Sequence, residues 1–165
     1  LHGKILRLND DGSIPESNPF MDSTDTNKCG KHGGITSSNQ VCAEIFSLGM
    51  QNPFHLAMNP NNAQQVEFRV GDIGGSNWEE ISYGGSAYAG HNYGWPVVEG
   101  PCSNTSGNCS LLDEFHDPEY YYEHVRQSRG GYIVGSAFVP KGLWPVKYEY
   151  LFIDFVFGKI YNLIK

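Results

Sequence analysis

Between Gln65 and Val70 polar and apolar residues alternate. Val66, Phe68 and Val70 fall on one side, Gln65, Glu67 and Arg69 on the other. A period of two marks a strand with one buried face, so a half-buried strand is predicted here, with Arg69 on its polar side. Tyr150 to Val156 is a nearly continuous apolar run broken only by Asp154, the pattern of a central strand covered on both faces. Gly3 to Leu8 reads as a strand closed by the turn signal Asn9-Asp10-Asp11-Gly12. Shorter strands are predicted around Glu79, Glu80 and Ile81, ending at Gly84-Gly85, at Ile133 to Val139, and from Lys159 to the chain end. Nowhere do apolar residues recur at helical spacing through three turns. Between Asp113 and Val125, Pro118 and three consecutive tyrosines argue for an extended path.

One sequence echo organises these strands. Gly3-Lys4-Ile5-x-x-Leu8 returns as Gly158-Lys159-Ile160-x-x-Leu163. A propeller blade takes about 40–50 residues, so the interval holds three such units, or two with long insertions. With evenly spaced strands and no helix, the fold class expected is all-β, a propeller segment rather than a sandwich. Composition agrees, since 20 glycines and 9 prolines in 165 residues imply many turns. The formal net charge of -7 excludes the basic footprint of a nucleic-acid binder. No apolar run is long enough for a membrane span. Leu1 in place of Met, and a final strand with no closing turn, lead us to expect a piece of a longer chain.

Four cysteines occur, Cys29, Cys42, Cys102 and Cys109, each pair bracketing a polar loop. Local disulfides 29–42 and 102–109 are the simplest of three connectivities. Zinc is the rival reading, but no CxxC spacing occurs. Two glycosylation sequons, at Asn104 and Asn108, fall in the second loop. Together these features point to a secreted protein.

Several stretches resemble the glucose/sorbosone dehydrogenase family of soluble quinoprotein sugar dehydrogenases. They are Gly-Lys-Ile-Leu-Arg-Leu-Asn-Asp-Asp-Gly-Ser-Ile-Pro at 3–15, Glu-Ile-Phe-Ser-Leu-Gly-Met-Gln-Asn-Pro-Phe at 44–54 and Val-Gly-Asp-Ile-Gly at 70–74. Trp-Glu-Glu-Ile at 78–81, His-Asn-Tyr-Gly-Trp-Pro at 91–96 and Asp-Phe-Val-Phe-Gly-Lys-Ile-Tyr at 154–161 continue the match. The resemblance implies a partial six-bladed β-propeller, residues 1–165 being its C-terminal segment, with about two to three blades of four-stranded antiparallel sheet. It also implies pyrroloquinoline quinone and calcium as cofactors, and hydride transfer from a sugar to the quinone with a His as base. Such a cofactor, a tricarboxylate, calls for cationic donors, and calcium for oxygen ligands.

Carried over residue by residue, the resemblance places Gln51 and Asn52 at the quinone, although the family often has Arg where Gln51 stands. Calcium carbonyls fall on Gly74 and Gly75, where relatives carry Gly-Pro, and Ile73 replaces a Gln found in some members. Lys159 is a candidate anion contact, against which its echo at Lys4 suggests a repeated surface position. Tyr93 and Trp95 are candidates for a sugar pocket, or else pack between blades. Asp72 could support calcium but reads more simply as a turn former. His55 and His91 read as structural histidines, and the family's base falls on none of the six. Glu79 and Glu80 are adjacent in a strand, so they face opposite sides and form no dyad. With no catalytic residue assigned, the isolated chain is expected to be inactive. Three functions follow: part of an extracellular sugar dehydrogenase; a non-catalytic extracellular binding module on the same fold, taking a sugar or other ligand; or an assembly component whose remaining blades come from the parent chain or partner chains.

Overall fold

The computed structural model describes residues 2–21, 26–27, 41–104, 106–107, 114–124, 131–145 and 147–164. In chain order its strands are β1 (Ile5–Leu6), β2 (Thr26–Asn27), β3 (Val41–Cys42), β4 (Ile45–Ser47), β5 (Pro53–Met58), β6 (Glu67–Asp72), β7 (Trp78–Gly85), β8 (Val98–Glu99), β9 (Cys102–Ser103), β10 (Tyr120–Glu123), β11 (Ile133–Phe138), β12 (Tyr150–Asp154) and β13 (Lys159–Leu163). The only helical element among the described residues is the 3-10 turn Ser86–Tyr88. The fold is all-β, as the alternation and turn content require.

Strands β5, β6, β7 and β10 form one antiparallel four-stranded meander, the size expected of a blade. A second meander joins β11, β12 and β13, and β1 pairs with β4 in a third sheet. Thus one blade is complete among the described residues, and the other two are represented by three strands and two. The echoed glycines start comparable strands: Gly3 and Gly158 both take positive φ, 65° and 60°, which glycine adopts without strain.

The four-stranded sheet lies between two cores. Phe46, Met50, Phe68, Val70 and Tyr93 pack on the β1–β4 side. Ile81, Ile133, Phe138, Tyr150 and Phe152 pack against the β11–β13 sheet. Each such buried side chain contributes roughly 1.5–3 kcal/mol. Contact between the sheets is close: a Cβ on Gly71 would lie 2.6 Å from Ile133 Cγ2.

This sandwiching corrects the reading of β6. The strand is buried on both faces, and Arg69 is 1% exposed. Alternation showed one apolar face but could not show that a second sheet covers the other. Conversely, β12 is central yet not covered on both faces among the described residues. Tyr150, Phe152 and Asp154 are buried, while Ile153 is exposed.

Asn61 ties the two larger sheets together beyond their apolar contact. Its Nδ2 donates to the Val139 carbonyl at 2.9 Å, and its Oδ1 accepts the Lys141 amide at 2.8 Å. His55 Nε2 meets the Ser136 carbonyl at 2.9 Å, giving that histidine a structural role. Asn61→Ala is expected to lower unfolding free energy by about 1–2 kcal/mol, measurable by urea titration.

Cys42 and Cys102 are disulfide-bonded. Cys29, Cys109 and Asn108 lie outside the described residues. Asn104 is exposed, with Nδ2 donating to the Pro96 carbonyl at 3.0 Å.

Candidate functional site

The entry to β5 and the exit of β6 are pinned to each other by one side chain. Asp72 Oδ2 accepts the Gln51 amide at 2.9 Å and Oδ1 accepts the Asn52 amide at 2.6 Å. The Ile73 amide returns to the Asn52 carbonyl at 3.1 Å. Asp72 is therefore neither a local turn former nor a solvent-facing ligand: it clamps a neighbouring strand.

After Ile73 the chain wraps around Glu99, a residue the sequence reading did not single out. Its Oε1 accepts the amides of Gly75, Ser76, Asn77 and Trp78 at 2.8, 2.9, 3.0 and 3.2 Å. Such a wrap leaves no room at Gly74, where a Cβ would fall 1.5 Å from the Trp78 carbonyl oxygen. Over Gly75 lies Gln51, whose Nε2 would be 2.9 Å from an added Cβ. No sequence signal links Glu99 to that loop, because the interaction is long-range and uses backbone amides.

Around this corner is a cavity of about 10 Å³, with Gln51, Asp72, Gly74, Glu80, Trp95 and Glu99 among its walls. That volume admits about one water-sized occupant. Tyr93 also borders it but is a core residue, 5% exposed, and its hydroxyl donates to the Tyr83 carbonyl at 2.6 Å. Asn52 is exposed, reaching the corner through its backbone amide. Lys159 is exposed on β13, in the other sheet, and does not line the cavity. Of the residues singled out from sequence, Gln51, Asp72, Gly74, Glu80, Tyr93 and Trp95 are thus brought together, with Gly75 adjoining. Glu79 and Glu80 take separate partners, as their opposite faces require. Glu79 meets His124 Nε2 at 2.7 Å and accepts the Ile133 amide, while Glu80 accepts the Gly100 amide. His91 packs its ring 4.3 Å from that of His116.

The carboxylates differ in charge because their environments differ. Burial pushes Glu80 up to about 8, with Asp72 adding to the shift and the single Gly100 amide opposing it. Asp72 is raised to about 6, chiefly by burial, against the two amides it binds. Burial also works on Glu99, but its backbone amides outweigh it and hold the group below the usual range.

The donor set fits a hard cation better than an anion. The cavity walls carry three carboxylates, and Gln51 Oε1 is buried without a hydrogen-bond partner. Among the described residues no three His, Cys, Asp or Glu side chains converge as a metal set. A cation here therefore needs amide and backbone oxygens, which suit calcium. A tricarboxylate finds only neutral donors in this corner, since no Lys or Arg lines it.

Comparison with known proteins gives a consistent result. The profile of the family described as Glucose / Sorbosone dehydrogenase matches residues 1–144. Aldose sugar dehydrogenase YliI of Escherichia coli (strain K12) is 38% identical over 99 residues, covering 59% of this chain and 21% of that protein. Quinoprotein glucose dehydrogenase B of Acinetobacter calcoaceticus is 37% identical over 98 residues, covering 59% and 16%. The solved PQQ-bound form of aldose sugar dehydrogenase from Streptomyces coelicolor has a TM-score of 0.60 at 21% identity, a likeness of fold. It covers 99% of this chain and 35% of that one. The chain thus spans between 16% and 35% of the length of these three proteins.

Proposed function

The chain belongs to the glucose/sorbosone dehydrogenase family, and on that premise we propose that it forms part of an extracellular quinoprotein that oxidises aldoses to lactones. The observation that supports this reading is the convergence of Gln51, Gly74 and Trp95 with buried carboxylates on one small cavity. When bound, pyrroloquinoline quinone supplies the hydride acceptor. The residues of this chain bind and orient. Asp72 fixes the Gln51-Asn52 backbone, Gln51 offers an amide donor, and the Gly74-Gly75 backbone offers oxygens for calcium. Glu99, kept ionised by its backbone amides, adds the negative field that favours a cation, and Glu80 joins it only once it ionises. Positive charge for the quinone carboxylates, and the base that takes the sugar's proton, come from the remaining blades of the propeller. Those blades also cover the exposed Phe54, Leu56 and Met58 on β5 and Ile160 on β13.

Disulfides 29–42 and 102–109, with glycans at Asn104 and Asn108, complete the extracellular reading; non-reducing peptide mapping checks the pairing. The function itself is tested by titrating pyrroloquinoline quinone calorimetrically into the parent protein, with and without calcium. Calcium-dependent binding with a micromolar Kd or tighter, about -8 kcal/mol or better, is expected. An absence of binding heat overturns the reading in favour of a non-catalytic binding module, for which the lack of Lys or Arg at the cavity is the supporting observation. Gln51→Arg adds a charge-assisted donor and is expected to tighten quinone binding about tenfold in the same titration.

A further inference from the structure

A larger groove lies at the other end of the same strands. The candidate site is built where β5 begins and β6 ends; this groove is built where β5 ends and β6 begins. Six residues of strand separate them, roughly 20 Å. Its second wall is the connection from β11 to β12, so it is a cleft between two sheets. The volume is about 790 Å³, within the range of about 300–1,000 Å³ typical of small-molecule sites.

Its walls are held in place by side chains. Asn61 bonds the start of the opposite connection, through Val139 and Lys141. Asn59 Nδ2 and Asn62 Nδ2 donate to the two oxygens of Glu67 at 2.7 and 2.8 Å. Asn62 Oδ1 accepts the amides of Gln64 and Gln65, each at 3.1 Å. The turn from β5 to β6 is thereby fixed before any ligand arrives, which lowers the ordering cost of binding.

Against this rigid polar wall stands an exposed aromatic. Trp144 is 53% exposed, and Tyr148 meets it edge-on at 5.7 Å and 90°. An indole serving only as core filler would be largely buried. A docking surface for a protein would surround it with apolar side chains. Here amides and charges (Asn59, Asn62, Gln64, Lys141, Lys147, Glu67 and Glu149) outnumber the apolar Val139, Pro140 and Ile164 in the lining. Two lysines against two glutamates leave the groove near neutrality.

We infer that this groove is a binding site for a neutral oligosaccharide, with Trp144 as the stacking platform. The C–H face of a pyranose is weakly positive and suits the negative face of an indole. Gln64 and the lysines supply hydrogen bonds to hydroxyls at the rim. Balanced charge favours a neutral glycan over a sulfated or uronic one, as does the net charge of -7 on the chain. This inference is independent of the quinone reading, because it shares no residue with the cavity at Gln51.

The test uses the purified protein with maltotriose, cellotriose, mannotriose and a heparin-derived tetrasaccharide as probes. Saturation-transfer NMR detects contact, and calorimetry gives affinity. Millimolar or tighter binding of at least one neutral trisaccharide is expected, weakened at least tenfold by Trp144→Ala and less by Trp144→Phe. Gln64→Ala, at an exposed turn, is expected to weaken binding severalfold and provides the variant if Trp144→Ala fails to fold. Saturating pyrroloquinoline quinone is not expected to displace the sugar from the groove. No binding of any neutral probe, binding of the heparin fragment alone, or binding unchanged in both Trp144→Ala and Gln64→Ala overturns the inference.

Discussion

Glu119→Ala is expected to destabilise the protein by about 3 kcal/mol, more than Arg69→Met at the other end of the same ion pair. Glu119 holds Arg69 by two bonds, Nε to Oε2 at 2.5 Å and Nη2 to Oε1 at 2.7 Å. The two side chains are unequally buried, 1% exposed for Arg69 and 24% for Glu119. Removing the carboxylate strands a guanidinium that cannot reach water, the costly way to break a buried pair, about 3–5 kcal/mol. Three rings soften the loss, those of Phe138, Tyr150 and Tyr83, with the guanidinium carbon 4.8, 4.8 and 5.5 Å from their centroids. Such contacts contribute up to about 2 kcal/mol when desolvated, so the lower end of the range is expected. Arg69→Met keeps the packing against those rings and leaves Glu119 partly solvated, at an expected cost of about 1–2 kcal/mol. Urea unfolding of the two variants decides it. Equal losses, or a larger loss for Arg69→Met, would show that the pair is held by packing alone.

That pair also marks a limit of the sequence. Alternation over Gln65 to Val70 reports which residues share a face, and it located β6. Whether a face is covered depends on strands far away, here β11 and β12, and on Glu119. The strand β5 shows the converse problem. Phe54, Leu56 and Met58 alternate cleanly with Pro53, His55 and Ala57, yet the large apolar residues point outward and are exposed. A rule that places hydrophobic faces inward assigns such a strand backwards, and the family motif at 44–54 reaches only its first two residues. Motif resemblance, unlike periodicity, points to Gln51 and Gly74, both of which the structure places on the wall of one small cavity. It said nothing of Glu99, because four backbone amides carry no side-chain signature. Nor did it show that Asp72, read as a turn former, clamps the β5 entry.

Raising the pH from 6.5 to 8.5 is expected to cost the protein about 4 kcal/mol of stability, shared between Glu80 and Glu79. Burial raises both carboxyls to about 8 from an ordinary 4.5. Between those values the folded state keeps a proton that the unfolded chain has released, so higher pH favours unfolding. The stabilisation is complete below about pH 4.5 and is lost as pH rises through about 8. Each tenfold change in proton affinity is worth about 1.4 kcal/mol, which gives about 2 kcal/mol per carboxyl across this window. The window is chosen to isolate them. Asp72, raised to about 6, titrates mostly below it. His116 and His124, lowered by burial, oppose the trend only below their ordinary 6.5. Glu99, held low by its amides, is ionised throughout. Glu80→Gln keeps the shape, loses the titration, and is expected to remove about half of the slope. Calcium should stabilise the protein more at pH 8.5 than at pH 6.5, since only ionised carboxyls attract it. Chemical unfolding at several pH values, with and without calcium, reads both effects. A flat profile in the parent, or an unchanged slope in Glu80→Gln, would mean that these carboxyls are already ionised and paired near neutral pH.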